Sequence, residues 1–409
     1  MKKVLIIAPQ FKPIPANFGG VEGLITDLIK ENELQKQCEF FVISKRPETP
    51  VVKKFCFSKI IYSGSSLKEN SKTRKKYYLR WIISKLLRKV THNKITRRIF
   101  KDKKYCLFED NYFGYYCSKI ASKIKPDSII IFGYDKIHHL WPLVKRIGNK
   151  NIYYHLHYCR GEDLKIRELV PNTIATSNYV FNKWNKTHFP NERSTVIRHG
   201  IDFEKFNYNI NPIKINELRD KLGFSKNDFV IIFTGRFRPG KGIIELLDAF
   251  ELIKNNHIKL LMLGDFDRKS NTEEEYEQKA IKKIKNNNNI IHLGFVPNDK
   301  LSLYYSCADA QVAPTVYEEA AGLVTIEGML AGLPIIITKS GGMPEYVGDE
   351  CSFKLNIDAD LSKNIASSII TLYKNHDLCK KMGQNSKKWA SQFTIANYYN
   401  NLLSFLFDQ

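Results

Sequence analysis

At 409 residues the chain exceeds what one hydrophobic core ordinarily supports, so two domains of ~150–200 residues are expected. With 43% hydrophobic and 26% charged residues it is not a disordered chain, and no uncharged apolar run reaches the ~18 residues that a membrane span needs. The formal net charge of +22 implies an anionic partner: nucleic acid, anionic lipid or a phosphorylated ligand.

The chain begins MKKVLIIAPQF, which has a short apolar core and no small-residue cleavage site. It reads as a buried strand over residues 4–8 rather than as a signal peptide. Gly19 and Gly20 then precede a helix over 21–37, and their missing side chains let backbone amides approach a ligand closely. Glu22 in the first turn suits the helix dipole, and 40–44 is a second strand. The eight cysteines are scattered with no C-x-x-C pair, which suits reduced thiols in a cytosol.

Between Lys68 and Lys104, fifteen Lys and Arg stand against Glu69 and Asp102 alone, so the charge excess is local. Within this basic segment (68–104), residues 77–90 place Leu79, Ile82, Ile83, Leu86, Leu87 and Val90 at helical spacing, with Arg80, Lys85 and Arg88 opposite. Such a helix, with basic flanks extending it over 72–104, suits an anionic membrane surface. A core-packing helix with a solvated face has the same periodicity. Nucleic acid is not expected, because aromatics and cations do not interleave and no recognition motif is present.

From residue 111 helices and strands alternate: helix 111–125, strand 128–132, helix 137–147, strands 151–156 and 173–176, helix 178–187, strand 195–197. Residues 207–212, rich in Asn, read as a linker. A second alternation follows: strands 229–234, 259–263, 290–292, 310–313 and 335–338, with helices 243–254, 272–286, 299–306, one starting near Gly322, and 359–375. An aromatic, apolar helix over 394–407 ends the chain. This pattern predicts two parallel, doubly wound α/β sheets, whose ligands gather at the carboxyl ends of strands.

Those strand ends carry the candidate residues. His155 and His157 close strand 151–156 and alternate with Cys159. No partner cluster supports a metal there, so a ligand-facing imidazole stands beside an ordinary buried histidine. After strand 229–234 comes TGRFRPGKGI, where Gly235, Gly240 and Gly242 keep a loop open around Arg236 and Lys241. The spacing is not that of a triphosphate P-loop. A bidentate Arg and a point-charge Lys suit a diphosphate, with plain surface cations as the competing reading. Asp265 and Asp267 form a D-x-D read as loop chemistry rather than a metal site. In SGGMPE (340–345), two glycines admit close backbone approach and Glu345 is a hydroxyl acceptor; a simple turn accounts equally well.

The segment PTVYEEAAGLVTIEGMLAGL (314–333) organises the rest. A helix starting near Gly322 presents the free amides around Gly322, Leu323 and Val324 to an anion. Glu319 precedes it and Glu327 lies about a turn and a half inside. Carboxylates repel phosphate, so the two acids suit hydroxyl groups while amides and cations take the phosphates.

Taken together, G-G-V-E (19–22), the strand-end His, S-N (177–178), G-I-D (200–202), G-R-x-x-P-x-K-G (235–242), L-G-D (263–265), E-x7-E (319–327) and G-G-M-P-E (341–345) resemble the retaining glycosyltransferase family 4 of the GT-B fold. The resemblance implies two Rossmann-like domains facing across a cleft: 1–207 on the acceptor side, 208–390 binding the nucleotide sugar, and a helix in 391–409 crossing back. It implies that Arg236 and Lys241 bind the donor diphosphate, Glu327 the ribose and Glu319 the donor sugar. Gly19 and Gly20 are to approach the phosphates. The transferred sugar is to meet a strand-end histidine; His157 is preferred as nearer the strand's carboxyl end, with His155 still a candidate. The implied reaction moves a sugar from a nucleoside-diphosphate sugar, UDP by preference, to a glycan or lipid-linked acceptor, without a metal or other cofactor. A cytoplasmic protein, peripheral on the inner face of the plasma membrane, would suit such an acceptor. His199 replaces the usual Asn before G-I-D, and Ala321 replaces the aromatic of E-x-F-G. Epimerases of the same fold need acid–base groups on both sides of the sugar, and no such set is evident. A non-enzymatic binder of anionic surfaces leaves Arg236, Lys241, Glu319 and Glu327 unexplained.

Overall fold

The computed structural model describes residues 1–9, 13–16, 20–45, 47, 55–63, 108–133, 137–206, 210–266 and 271–408. The basic segment with its amphipathic helix, Gly19 and Asp267 lie outside them. The chain divides into two units: Met1–Ala175 with Phe181–Val196 and Leu403–Gln409, and Thr176–Val180 with Ile197–Leu402.

In the first unit, β1 (Lys2–Ile7), β2 (Cys38–Lys45), β3 (Ser58–Ser63), β4 (Ser128–Phe132), β5 (Ile152–Leu156), β6 (Thr173–Ala175) and β7 (Ser194–Val196) form one sheet. Its order is β3-β2-β1-β4-β5-β6-β7 and every pairing is parallel. A parallel sheet is covered on both faces, so its central strands are apolar without alternation. Strands β4 (SIIIF) and β5 (IYYHL) are accordingly buried at every position. Helices α1 (Gly20–Gln35), α2 (Phe108–Ile124), α3 (Trp141–Ile147) and α4 (Leu164–Leu169) connect the strands. The helix expected over 137–147 is a 3-10 turn, Ile137–Leu140, followed by α3. Pro142 explains the break, since proline lacks an N–H and is accepted only in a helix's first turn. Phe405 near the chain's end belongs to this unit and packs edge-on against Tyr153, with ring centroids 5.5 Å apart.

The second unit contains β8 (Phe229–Thr234), β9 (Ile258–Leu263), β10 (Ile290–Gly294), β11 (Ala310–Ala313), β12 (Ile335–Thr338) and β13 (Ser352–Leu355). They run parallel in the order β10-β9-β8-β11-β12-β13. Strand β8 shows how the sheet is sandwiched. Phe229, Ile231 and Phe233 enter one core layer with Leu246, Leu247 and Phe250 of helix Ile243–Leu252, while Val230 and Ile232 enter another with Ile326 and Met329. Each fully buried side chain of this kind contributes ~1.5–3 kcal/mol.

Both units thus have the doubly wound order in which the third, second, first and fourth strands are neighbours. Two parallel-sheet Rossmann-like units in one chain are the GT-B architecture expected from the motifs. In the second unit the order reverses between β8 and β11, where ligands of such sheets bind.

Candidate active site

The loop after β8 is held at alternate residues. Gly235 N–H donates to Leu263 O at 3.0 Å and Phe237 N–H to Asp265 O at 2.8 Å. Phe237 is buried and stacks on His292 at 4.7 Å. Arg236, between these anchors, is exposed. The loop ends at Gly242, with φ +71°, where a Cβ would lie 1.8 Å from Pro314 O. Only glycine allows that approach, and it brings Lys241 against the segment following β11.

There Lys241 Nζ lies 2.5 Å from Glu319 Oε2, and the two side chains are only 19% and 21% exposed. Tyr317 donates its hydroxyl to the same oxygen at 2.7 Å, and Arg238 donates to Tyr317 Oη at 2.9 Å. The Tyr317 ring lies 5.0 Å from the Lys241 ammonium and 5.1 Å from the Arg238 guanidinium. A charge-assisted pair shielded in this way is stronger than an exposed surface pair.

The Glu319 segment is backed by the turn after β12. Gly342 N–H donates to Glu319 O at 2.7 Å, and Ser340 Oγ donates to Tyr317 O. Ser177 and Thr176 hydroxyls donate to Ala320 O at 2.9 and 3.1 Å. Glu345 accepts from Asn178 N–H, Asn178 Nδ2 and Tyr179 N–H at 2.8–2.9 Å, with Arg198 at 3.4 Å. Both its oxygens are therefore engaged at the start of α5 (Asn178–Trp184), as a carboxylate at a helix N-terminus should be.

The helix expected near Gly322 spans Leu323–Leu330, with Gly322 at its N-cap and no side chain capping its amides. Leu323 and Val324 are half-buried in its first turn. Glu327 accepts from the Tyr305 hydroxyl at 2.8 Å, and Tyr305 Oη is 2.6 Å from Thr234 Oγ1 at the end of β8. Burial pushes the Glu327 carboxyl up to about 7, with the Tyr305 hydrogen bond pulling the other way. Ala321 packs at the edge of the core layer below.

In the first unit Gly20 is exposed at the start of α1, with open space where a Cβ would be. His155 is fully buried in β5, and His157, just beyond it, is 9% exposed. Their rings stack at 4.3 Å, and both stack on Phe132 at the end of β4, at 4.8 and 5.5 Å. In the second unit His199 is buried and burial pushes its imidazole pKa down to about 3, so it is neutral near pH 7; its backbone N–H donates to Tyr346 Oη at 3.0 Å. Asp265 Oδ1 accepts from Phe266 N–H at 2.8 Å.

The fold therefore joins Lys241 to Glu319 directly and sets Glu327 on the helix that follows. Sequence reading passed over Tyr317 and Arg238, although both lie inside the motif segments. It gave no signal for Tyr305, which stands in a helix with no motif.

Residues 214–389 match the family described as Glycosyl transferases group 1, so the second unit carries a group 1 domain. The lipopolysaccharide 1,2-N-acetylglucosaminetransferase of Salmonella typhimurium is 26% identical over 270 residues, covering 63% of this chain and 66% of its own. The capsular polysaccharide biosynthesis glycosyltransferase CapM of Staphylococcus aureus is 30% identical over 235 residues, covering 56% and 57%. The chain thus spans less than two thirds of either relative's length. Among solved structures, Anabaena HepE in complex with UDP and glucose superposes with a TM-score of 0.68 at 18% identity, over 99% of each chain. That likeness is one of fold.

Proposed function

We propose that this chain, with its group 1 glycosyl transferase domain, is a retaining glycosyltransferase of family 4. It moves a sugar from a nucleoside-diphosphate sugar, UDP being the preferred nucleotide, to a hydroxyl of a glycan or lipid-linked acceptor. The observation that carries the reading is the Lys241–Tyr317–Glu319 cluster at the switch point of the second sheet. A cation and an acid held together there meet a ligand that has both phosphates and hydroxyls.

In this reading Arg236 and Lys241 stabilise the negative charge that develops as the bond from sugar to diphosphate breaks, and the amides of Gly322, Leu323 and Val324 add to it. The Lys241 ammonium, shared between Glu319 and the diphosphate, partly offsets the charge of this acid, which accepts a sugar hydroxyl near the reacting carbon. Glu327 accepts from the ribose hydroxyls. His157, with His155 stacked on it, serves the transferred sugar, and Gly19 and Gly20 allow phosphate approach. Glu345 acts on the sugar only indirectly, by holding the start of α5. The anomeric carbon loses the phosphate oxygen and gains the acceptor oxygen on the same face, and the acceptor proton passes to the leaving phosphate. Two cations and helix-end amides supply the countercharge, so no metal enters the step.

The lipopolysaccharide and capsule enzymes among the relatives support a surface-polysaccharide acceptor. No helix among the described residues is long and apolar enough to cross a membrane. The basic residues 72–104 support peripheral docking on the anionic inner leaflet of the plasma membrane.

The test is a panel of UDP-sugars with glycan acceptors in EDTA, followed by NMR of the product's anomeric signal. The expected result is UDP release and a product with the donor's configuration. An inverted product, or turnover abolished by EDTA and restored by magnesium or manganese, would overturn the proposed step.

A further inference from the structure

Tyr317 stands inside the candidate site, and its hydroxyl is bonded on both sides. It accepts from Arg238 Nη2 at 2.9 Å and donates to Glu319 Oε2 at 2.7 Å. A phenol carries one proton and two lone pairs. The guanidinium has no lone pair to receive that proton, so the carboxylate takes it. Glu319 Oε2 also accepts from Lys241 Nζ at 2.5 Å. Both donors thus meet the same oxygen, and no group among the described residues hydrogen-bonds to Glu319 Oε1. The Glu319 side chain is 21% exposed, and Oε1 keeps its acceptor capacity for a ligand.

The phenol is itself held in place. Val316 and Tyr317 N–H donate to Gly240 O at 2.8 and 3.2 Å, and Ser340 Oγ donates to Tyr317 O. The ring covers Gly240, where a Cβ would lie 2.8 Å from Tyr317 Cδ1. These contacts use the backbone and the ring, so phenylalanine would keep them. The hydroxyl adds only its bonds to Arg238 and Glu319. Lys241 is a poorer anchor for Glu319, because its stem is flexible and a bound diphosphate shares its ammonium. The Tyr317 proton sits on a rigid ring and has one acceptor to serve. Donation from the charged Arg238 to the phenol strengthens the phenol's own donation to the carboxylate.

We infer that Tyr317, oriented by Arg238, is a positioning residue for the donor sugar: its hydroxyl holds Glu319 by Oε2 and so presents Oε1 to a sugar hydroxyl. The inference rests on the sugar role proposed for Glu319. It is tested by calorimetric binding of UDP, and of the UDP-sugar that serves as donor in the panel of UDP-sugars, to the full chain and to its Tyr317→Phe, Arg238→Met and Glu319→Ala variants. The quantity read is the ratio of the two dissociation constants, which a general disturbance of the site does not shift selectively. Tyr317→Phe should bind the UDP-sugar about 10-fold more weakly and bind UDP within about 2-fold of the wild type. Arg238→Met should move the ratio in the same direction by about 3-fold, and it carries the test alone if Tyr317→Phe does not fold. Glu319→Ala is the reference and should move the ratio at least as far as Tyr317→Phe. If Glu319→Ala moves the ratio and neither other variant does, whether they weaken both ligands equally or neither, the inference fails and the reading of Glu319 stands. If Glu319→Ala leaves the ratio unchanged, the sugar role of Glu319 fails and the inference with it. A wild type that uses no UDP-sugar of the panel removes the donor from both.

Discussion

At the scale of single residues, the second unit separates two acids that look equivalent in the sequence. Glu319 is paired with a lysine and a phenol. Glu327 meets a phenol, and burial raises its carboxyl from 4.5 to about 7. The sign of the linkage follows from that direction. Between about pH 4.5 and 7 the folded chain keeps a proton that the unfolded chain gives up, so this group lowers stability as pH rises through that window. Glu327→Gln removes the titration and keeps an oxygen for Tyr305. The variant should therefore gain on the wild type by about 2 kcal/mol between pH ~5 and ~8. Urea unfolding at the two pH values measures it. An identical difference at both would show that Glu327 does not titrate in this range.

At the scale of elements, contacts between loops place the site. Gly242 has φ +71° and would put a Cβ 1.8 Å from Pro314 O, whereas Gly223 has φ +76° and open space around it. Gly223→Ala should lose about 1 kcal/mol from backbone strain alone. Gly242→Ala should lose more than about 2 kcal/mol and donor turnover as well, because the loop carrying Lys241 must shift. Equal melting points for the two variants would mean that the approach to Pro314 is not needed.

The elements most legible in the sequence were those with a strong apolar signature. Strands Ser128–Phe132, Phe229–Thr234, Ala310–Ala313 and Ile335–Thr338 lie where the buried runs put them. Five others were not expected, the helix His376–Ala390 among them. The edge strands Ser58–Ser63 and Ser352–Leu355 pair on one side only and carry a weaker pattern. Helix Leu164–Leu169 is short and announced chiefly by its cap, Asp163, which accepts from Lys165 and Ile166 N–H. Helix Pro212–Lys221 buries no residue, so its apolar signal is nil; Asn211 at the cap and Pro212 at the start mark it instead. The site divides in the same way. Arg236, Lys241, Glu319 and Glu327 were legible from spacing, while the Tyr305–Thr234 support behind them depends on helix-to-sheet packing that spacing does not encode.

At the scale of the whole molecule, one topology is used twice with different chemistry at its strand ends. The first unit gathers stacked histidines at the ends of β4 and β5; the second gathers cations and acids where β8 and β11 part. The group 1 domain coincides with the second of these. The central claim is that this second set binds a nucleoside diphosphate. Thermal unfolding of the full chain with UDP, GDP and ADP, beside the Lys241→Ala variant, tests it most directly. A ligand present at 100 times its Kd stabilises the native state by about 2.7 kcal/mol, so the wild type should melt several degrees higher with the matching nucleotide, and Lys241→Ala should show little of that rise. A wild type unmoved by every nucleoside diphosphate, or a variant stabilised as much as the wild type, would contradict the claim.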